Sequence, residues 1–62
     1  MKRLRTLIVD DEPLAVERLV TLSADHPVID IVGAAGDGIE ALQIAEQLMP
    51  DLIFLDIGMP KM

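Results

Sequence analysis

The residues best placed to do chemistry are three aspartates at the ends of two apolar runs. Asp10 and Asp11 follow Leu7-Ile8-Val9, and Asp56 follows Leu52-Ile53-Phe54-Leu55. Short apolar runs with β-branched residues, bounded by turn chemistry, read as buried parallel strands. In open parallel α/β sheets, ligands bind at the C-terminal ends of the strands. If the two strands are neighbours, Asp10, Asp11 and Asp56 converge at that edge. Three carboxylates in one pocket repel one another and are tolerated when a hard cation or a proton relieves them.

The elements that must position these acids follow from patterning. Residues 4 to 9 read as the first strand. Asp11 or Glu12 then caps a helix with Pro13 in its first turn, where a missing N–H costs nothing. That helix runs to about Ala24, with Leu14, Ala15, Leu19 and Leu22 on one face. Asp25-His26-Pro27 stops it, because a residue before proline avoids helical geometry. A second strand spans about Val28 to Ala34, and its Asp30 suits an edge position. Asp37 and Glu40 form a reduced capping box for a second helix, about Gly38 to Met49. Its expected stripe is Ala41, Leu42, Ala45, Leu48 and Met49. Pro50 ends it, and Asp51 opens the turn into the third strand. The string is βαβαβ. Right-handed helical crossovers make the strands parallel and can give spatial order 2-1-3.

The 62 residues allow one small domain, with 52% apolar residues and a net charge of −6. The apolar share suits a packed α/β core and is rich enough to suggest surface meant for a partner or for further chain. The spread of negative charge disfavours direct nucleic-acid binding by this segment. Lys2, Arg3 and Arg5 form a small basic cluster that reads as a solvated flank. There is no cysteine, which excludes disulfides, thiolate metal sites and thiol catalysis. No apolar run is long enough to span a membrane, and acid returns at Asp10 before a signal-peptide core could form. The expected location is cytoplasmic. Gly33, Gly36 and Gly38 follow the second strand at the wrong spacing for a dinucleotide loop and read as turn and cap residues. His26 reads as a surface turn residue.

Three segments together resemble the response-regulator receiver domain of two-component signalling. They are Leu7-Ile8-Val9-Asp10-Asp11-Glu12-Pro13, Gly36-Asp37-Gly38-Ile39-Glu40-Ala41-Leu42, and Pro50-Asp51-Leu52-Ile53-Phe54-Leu55-Asp56-Ile57-Gly58-Met59-Pro60. The resemblance implies a flavodoxin-like doubly wound sheet, of which residues 1–62 would be the N-terminal half, lacking the last two strands and any output domain. It implies that Asp56 is the phosphoacceptor, receiving phosphate from a histidine kinase or phosphotransfer protein. It also implies that Asp10, Asp11, Asp56 and the Gly58 backbone carbonyl hold Mg2+. The family's Ser or Thr after strand four and Lys after strand five have no counterpart here. Thr6, Thr21, Ser23, Lys2 and Lys61 do not match those positions. The segment is therefore expected to be a signalling module, not an enzyme, and not competent for phosphorylation alone. Leu14-Ala15 after Glu12-Pro13, with Asp51 to Pro60, also resembles receivers joined to LytTR-type DNA-binding domains, which would make the parent a transcription regulator.

Two other readings compete. A phosphatase of haloacid-dehalogenase type also puts a nucleophilic aspartate after a buried strand, but it wants a second aspartate where Gly58 stands. A half-domain that only oligomerises is the other. In order 2-1-3 the third strand lies outermost, and Leu52 to Leu55 carry no lysine or proline to protect its edge. A homo-oligomer through that strand is expected, by two-fold antiparallel pairing into a six-stranded sheet.

Overall fold

A computed structural model describes residues 2–56. Within them lie β1 (Leu4–Val9), α1 (Pro13–Ser23), β2 (Ile29–Ala35), α2 (Gly38–Leu48) and β3 (Leu52–Leu55). The strands form one parallel sheet in the order β2-β1-β3, the topology expected from two right-handed crossovers. The helices lie on opposite faces of the sheet.

β1 is central because its sequence suits burial on both faces. Thr6, Leu7, Ile8 and Val9 are all buried, and the Thr6 hydroxyl donates to the Leu4 carbonyl at 3.0 Å, so no polar atom is stranded there. Leu7, Val9 and Ala35 form the core on the α2 face, against Ala41, Ile44 and Ala45. Thr6 and Ile8 face the other way, toward α1, where they share a pocket with Leu19, Ile29 and Ile31.

The register of β1 against β2 slips between Thr6 and Leu7. Thr6 lies opposite Ile31, but Leu7 lies opposite Gly33, so Val32 is an extra residue. The bulge brings Gly33 under α2. A Cβ there would sit 2.9 Å from Leu48 Cδ1 and 3.5 Å from both Ile44 Cγ2 and Leu7 Cδ1. The missing side chain is what lets the helix approach. We expect Gly33→Val to destabilise the fold by about 1–3 kcal/mol, because two further methyls must enter a filled space. Urea titration would show a lowered midpoint; an unchanged one would mean that α2 can lift without loss.

The helix ends are built differently. At α2, Asp37 Oδ1 accepts the Glu40 N–H at 2.8 Å, and Glu40 Oε1 accepts the Gly36 N–H at 2.7 Å. This is the expected capping box, with the return bond made one residue earlier than usual. At α1 the expected side-chain cap does not form. Glu12 occupies the N-cap position with no side-chain bond to the helix. Asp10 Oδ1 instead accepts the Glu12 N–H at 3.0 Å, an Asx turn that steers the chain into Pro13.

The apolar helix faces also differ from expectation. On α1, Leu14 and Leu22 are 62% and 64% exposed, while Ala15, Val16 and Leu19 turn toward the sheet. On α2, Ile44 is inside, and Leu42 and Met49 are exposed. Met49 is the C-cap, at a left-handed φ of 48°, and its position beyond the last turn takes its side chain off the stripe.

One member of the basic cluster, Arg5, is not solvated flank, whereas Lys2 and Arg3 are exposed. Arg5 Nη1 donates to the carbonyls of Leu48 at 2.6 Å and Met49 at 3.2 Å. These are C-terminal carbonyls of α2 with no partner inside the helix, at the negative end of its dipole. The Arg5 N–H donates to Asp51 Oδ2, and the Asp51 N–H donates to the Arg5 carbonyl. Arg3 donates to the Pro27 carbonyl at 3.0 Å and lies 3.7 Å from Asp30. Asp30, whose charge suited an edge strand, thus has a partner in this flank. Both side chains are largely exposed, so the pair contributes little.

Candidate functional site

The three aspartates meet because Asp10 and Asp56 are each anchored by their own backbone and Asp11 is next to Asp10. Asp10 leaves β1 with its N–H bonded to the Ala35 carbonyl of β2 at 2.9 Å. Asp56 leaves β3 with its N–H bonded to the Val9 carbonyl of β1 at 3.0 Å. Both residues are therefore held at the C-terminal edge of the sheet by the strand next to their own. The Asx turn orients the Asp10 carboxylate, and Asp11 follows it at the exposed rim.

One carboxylate oxygen from each of Asp10, Asp11 and Asp56 lies within 4.8 Å of the others. Asp10 and Asp56 are half-buried and Asp11 is exposed. Beside them is an open recess of about 290 Å³, lined by Asp10, Asp11, Pro13, Val16, Ala34 and Gly36 among others. All three expected carboxylates thus come together. The fourth expected ligand, the Gly58 carbonyl, lies outside the described residues. The cluster offers only hard oxygen donors, and their shared charge is of the sign a divalent cation offsets. That donor set fits Mg2+ better than a soft metal, which would look for sulfur or imidazole.

Arg5 and Asp51 are the residues that sequence reasoning missed. They sit at the opposite end of the sheet and fix where β3 begins relative to β1, which in turn fixes where Asp56 ends. A basic residue opening the central strand, with an acid just before the third, was the available signal.

The sequence profile described as "Response regulator receiver domain" matches residues 6–62. The chain belongs to the response-regulator receiver family. Its receiver half is 47% identical over 58 residues to the transcriptional regulatory protein BtsR of Salmonella typhi, covering 94% of this chain and 24% of that protein. It is 42% identical over 59 residues to protein-glutamate methylesterase/protein-glutamine glutaminase 4 of Myxococcus xanthus, covering 95% of this chain and 17% of that one. Among solved structures, the signal receiver domain of NarL from Mycobacterium tuberculosis superposes with a TM-score of 0.88 at 34% identity, covering all of this chain and 50% of that one. The chain therefore spans a quarter or less of these curated relatives and half of the receiver structure. Membership in the family displaces the phosphatase of haloacid-dehalogenase type weighed from sequence. Among the described residues, no helix is long and apolar enough to cross a membrane.

Proposed function

We propose that this receiver segment is the phosphoacceptor part of a two-component response regulator, with Asp56 as the acceptor and a histidine kinase or phosphotransfer protein as the donor. The observation that carries the reading is the meeting of three carboxylates within 4.8 Å at the C-terminal strand ends. In the reaction, an Asp56 oxygen attacks the phosphorus of a phosphohistidine. The P–N bond breaks as the O–P bond forms, the imidazole leaves, and Asp56 becomes an acyl phosphate. Asp10, Asp11 and Asp56, with the Gly58 carbonyl, would hold Mg2+. When bound, the ion offsets charge on the transferring phosphoryl oxygens. The backbone bonds from Asp10 to Ala35 and from Asp56 to Val9 keep the acceptor and its neighbours in place without help from the ligand. The segment acts as a switch component and not as a catalyst of turnover. Its place is the cytoplasm, and its output in the parent protein is transcriptional regulation, the output named for the BtsR relative.

Two measurements test this. The first is thermal unfolding with and without Mg2+. A cation bound only by the folded state raises stability by mass action. The melting temperature should rise with Mg2+ in the unmodified chain. Asp56→Asn should melt higher than the parent without the ion, because one charge leaves the cluster, and should gain less from Mg2+. Equal melting of both proteins under both conditions would mean that the three acids do not act as one site.

The second concerns competence. Residues 1–62 taken by themselves offer no residue at the family's hydroxyl and lysine positions, so a peptide of these residues alone gives the transferring group two contacts fewer. Acetyl phosphate with Mg2+ should give only a small fraction of acyl phosphate by intact mass, and Asp56→Asn should abolish it. Near-stoichiometric phosphorylation would show that the carboxylate cluster suffices by itself. Phosphate retained in Asp56→Asn would place the acceptor elsewhere.

A further inference from the structure

β3 carries little record of its own register. Its four residues, Leu52, Ile53, Phe54 and Leu55, are all large and apolar. They pair with β1 from Thr6 opposite Leu52 to Val9 opposite Leu55. A slide of two residues along β1 keeps each side chain on its own face and sets like in the place of like. Such a slide would move Asp56 by about 7 Å, since a strand rises about 3.3 Å per residue. The carboxylate oxygens of Asp10, Asp11 and Asp56 lie within 4.8 Å of one another, so the cluster would come apart. Something other than the apolar run must hold β3 in step.

We propose that Asp51 is a positioning residue for the acidic site, a pin that sets the register of β3 and so places Asp56. The proposal rests on the reading of Asp56 as phosphoacceptor and of the three acids as holding Mg2+. Asp51 acts on them only through β3, from about 16 Å away along the strand. It bonds Arg5 reciprocally. The Asp51 N–H donates to the Arg5 carbonyl at 2.8 Å, and Asp51 Oδ2 accepts the Arg5 N–H at 3.0 Å. A side-chain oxygen thus serves as the acceptor at the foot of the ladder, beside Pro50, which has no N–H to contribute. The Arg5 guanidinium meanwhile holds the Leu48 and Met49 carbonyls. The junction between α2 and β3 is therefore gathered on one residue of the central strand.

Two acids bracket the apolar run, and each opposes one direction of slide. Moved two residues toward the site, β3 would lose both bonds to Arg5 and carry Asp51 to the level of Leu7, which is 0% exposed. Moved two residues the other way, it would lose the bond from Asp56 to the Val9 carbonyl and carry Asp56 to the level of Ile8, which is 1% exposed. A carboxylate without a partner is costly at either level. Asp56 guards one direction by itself. Among the described residues, Asp51 guards the other. Asp51 is exposed, so removing its side chain leaves the core intact.

The test uses the complete parent protein, at a temperature where circular dichroism shows every variant folded. Asp51→Ala should bind Mg2+ at least about tenfold more weakly by titration calorimetry, the factor expected when the competent register falls to about a tenth of the population. Without Mg2+, the Asp56 amide should exchange with solvent at least about tenfold faster by NMR, because its bond to Val9 is broken in the shifted register. Asp51→Asn keeps an oxygen for the Arg5 N–H and should stay within about threefold of the parent in both readouts. Arg3→Ala loosens the other side of β1, at the Pro27 carbonyl, and should leave both readouts unchanged. Parental Mg2+ affinity or parental Asp56 exchange in Asp51→Ala would overturn the proposal. So would an equal effect of Arg3→Ala, which would make the loss one of general stability. A parent protein that binds no Mg2+ would instead defeat the reading of the acids as an ion site, and Asp56 exchange would still decide whether Asp51 sets the register.

Discussion

Leu7→Ala should remove the largest share of the fold's stability of any single truncation in the core, read as a much lower urea midpoint. Leu7 is 0% exposed and belongs to the core cluster beneath α2. Truncating a buried leucine costs about 2–5 kcal/mol, the lost transfer energy plus the cavity left behind. A chain of this length has a total stability of only about 3–9 kcal/mol. β1 also carries Asp10 and Asp11, so any Mg2+ response should vanish with the fold. Leu14→Ala is the matched control: Leu14 is 62% exposed, and alanine is the better helix former, so the change should stay within about 0.5 kcal/mol. Circular dichroism during urea titration measures both. Comparable losses at the two positions would mean that Leu14 is packed against something, and that α1 lies differently on the sheet.

Arg5→Ala should be the most damaging change to a residue with a charged side chain. It strips the donor from the Leu48 and Met49 carbonyls and removes a cation from the negative end of α2. Hydrogen bonds to charged groups contribute about 1.5–3 kcal/mol each, and part of this returns as water reaches the half-exposed site. A net loss of about 1.5–3 kcal/mol is expected, read as a lower urea midpoint at unchanged slope. Arg5→Lys should recover only part of it, since an ammonium carries the charge but not the planar fork. Full recovery with lysine would mean that charge alone matters. No loss with alanine would mean that α2 is capped by water equally well.

The order of elements, the parallel sheet and the meeting of Asp10, Asp11 and Asp56 were legible in the sequence for one reason. Each depends on short-range chemistry: an apolar run broken by acid, a proline just inside a helix, an Asp37–Glu40 pair at a helix start. What was not legible depends on how elements lie against each other. The buried arc of α1 is Ala15, Val16 and Leu19 instead of one containing Leu14 and Leu22, because the helix's rotation about its axis is settled by the sheet it meets. The same holds for Ile44 replacing Leu42 on α2. In the sequence Arg5 reads as a solvated cation because its partners, two carbonyls more than forty residues away, are visible only once the chain is folded.

The extra residue at Val32 has a consequence for how β2 can be altered. A strand normally keeps one parity of residue on one face throughout. Here Ile29 and Ile31 line the α1 side, whereas Gly33 and Ala35, of the same parity, lie under α2. β2 is in effect two half-strands written in opposite phase, joined at Val32. A scan of polar substitutions along it would beat in time as far as Ile31 and then fall out of step. A segment grafted from a flat strand of equal length would satisfy one helix and offend the other, however good its composition.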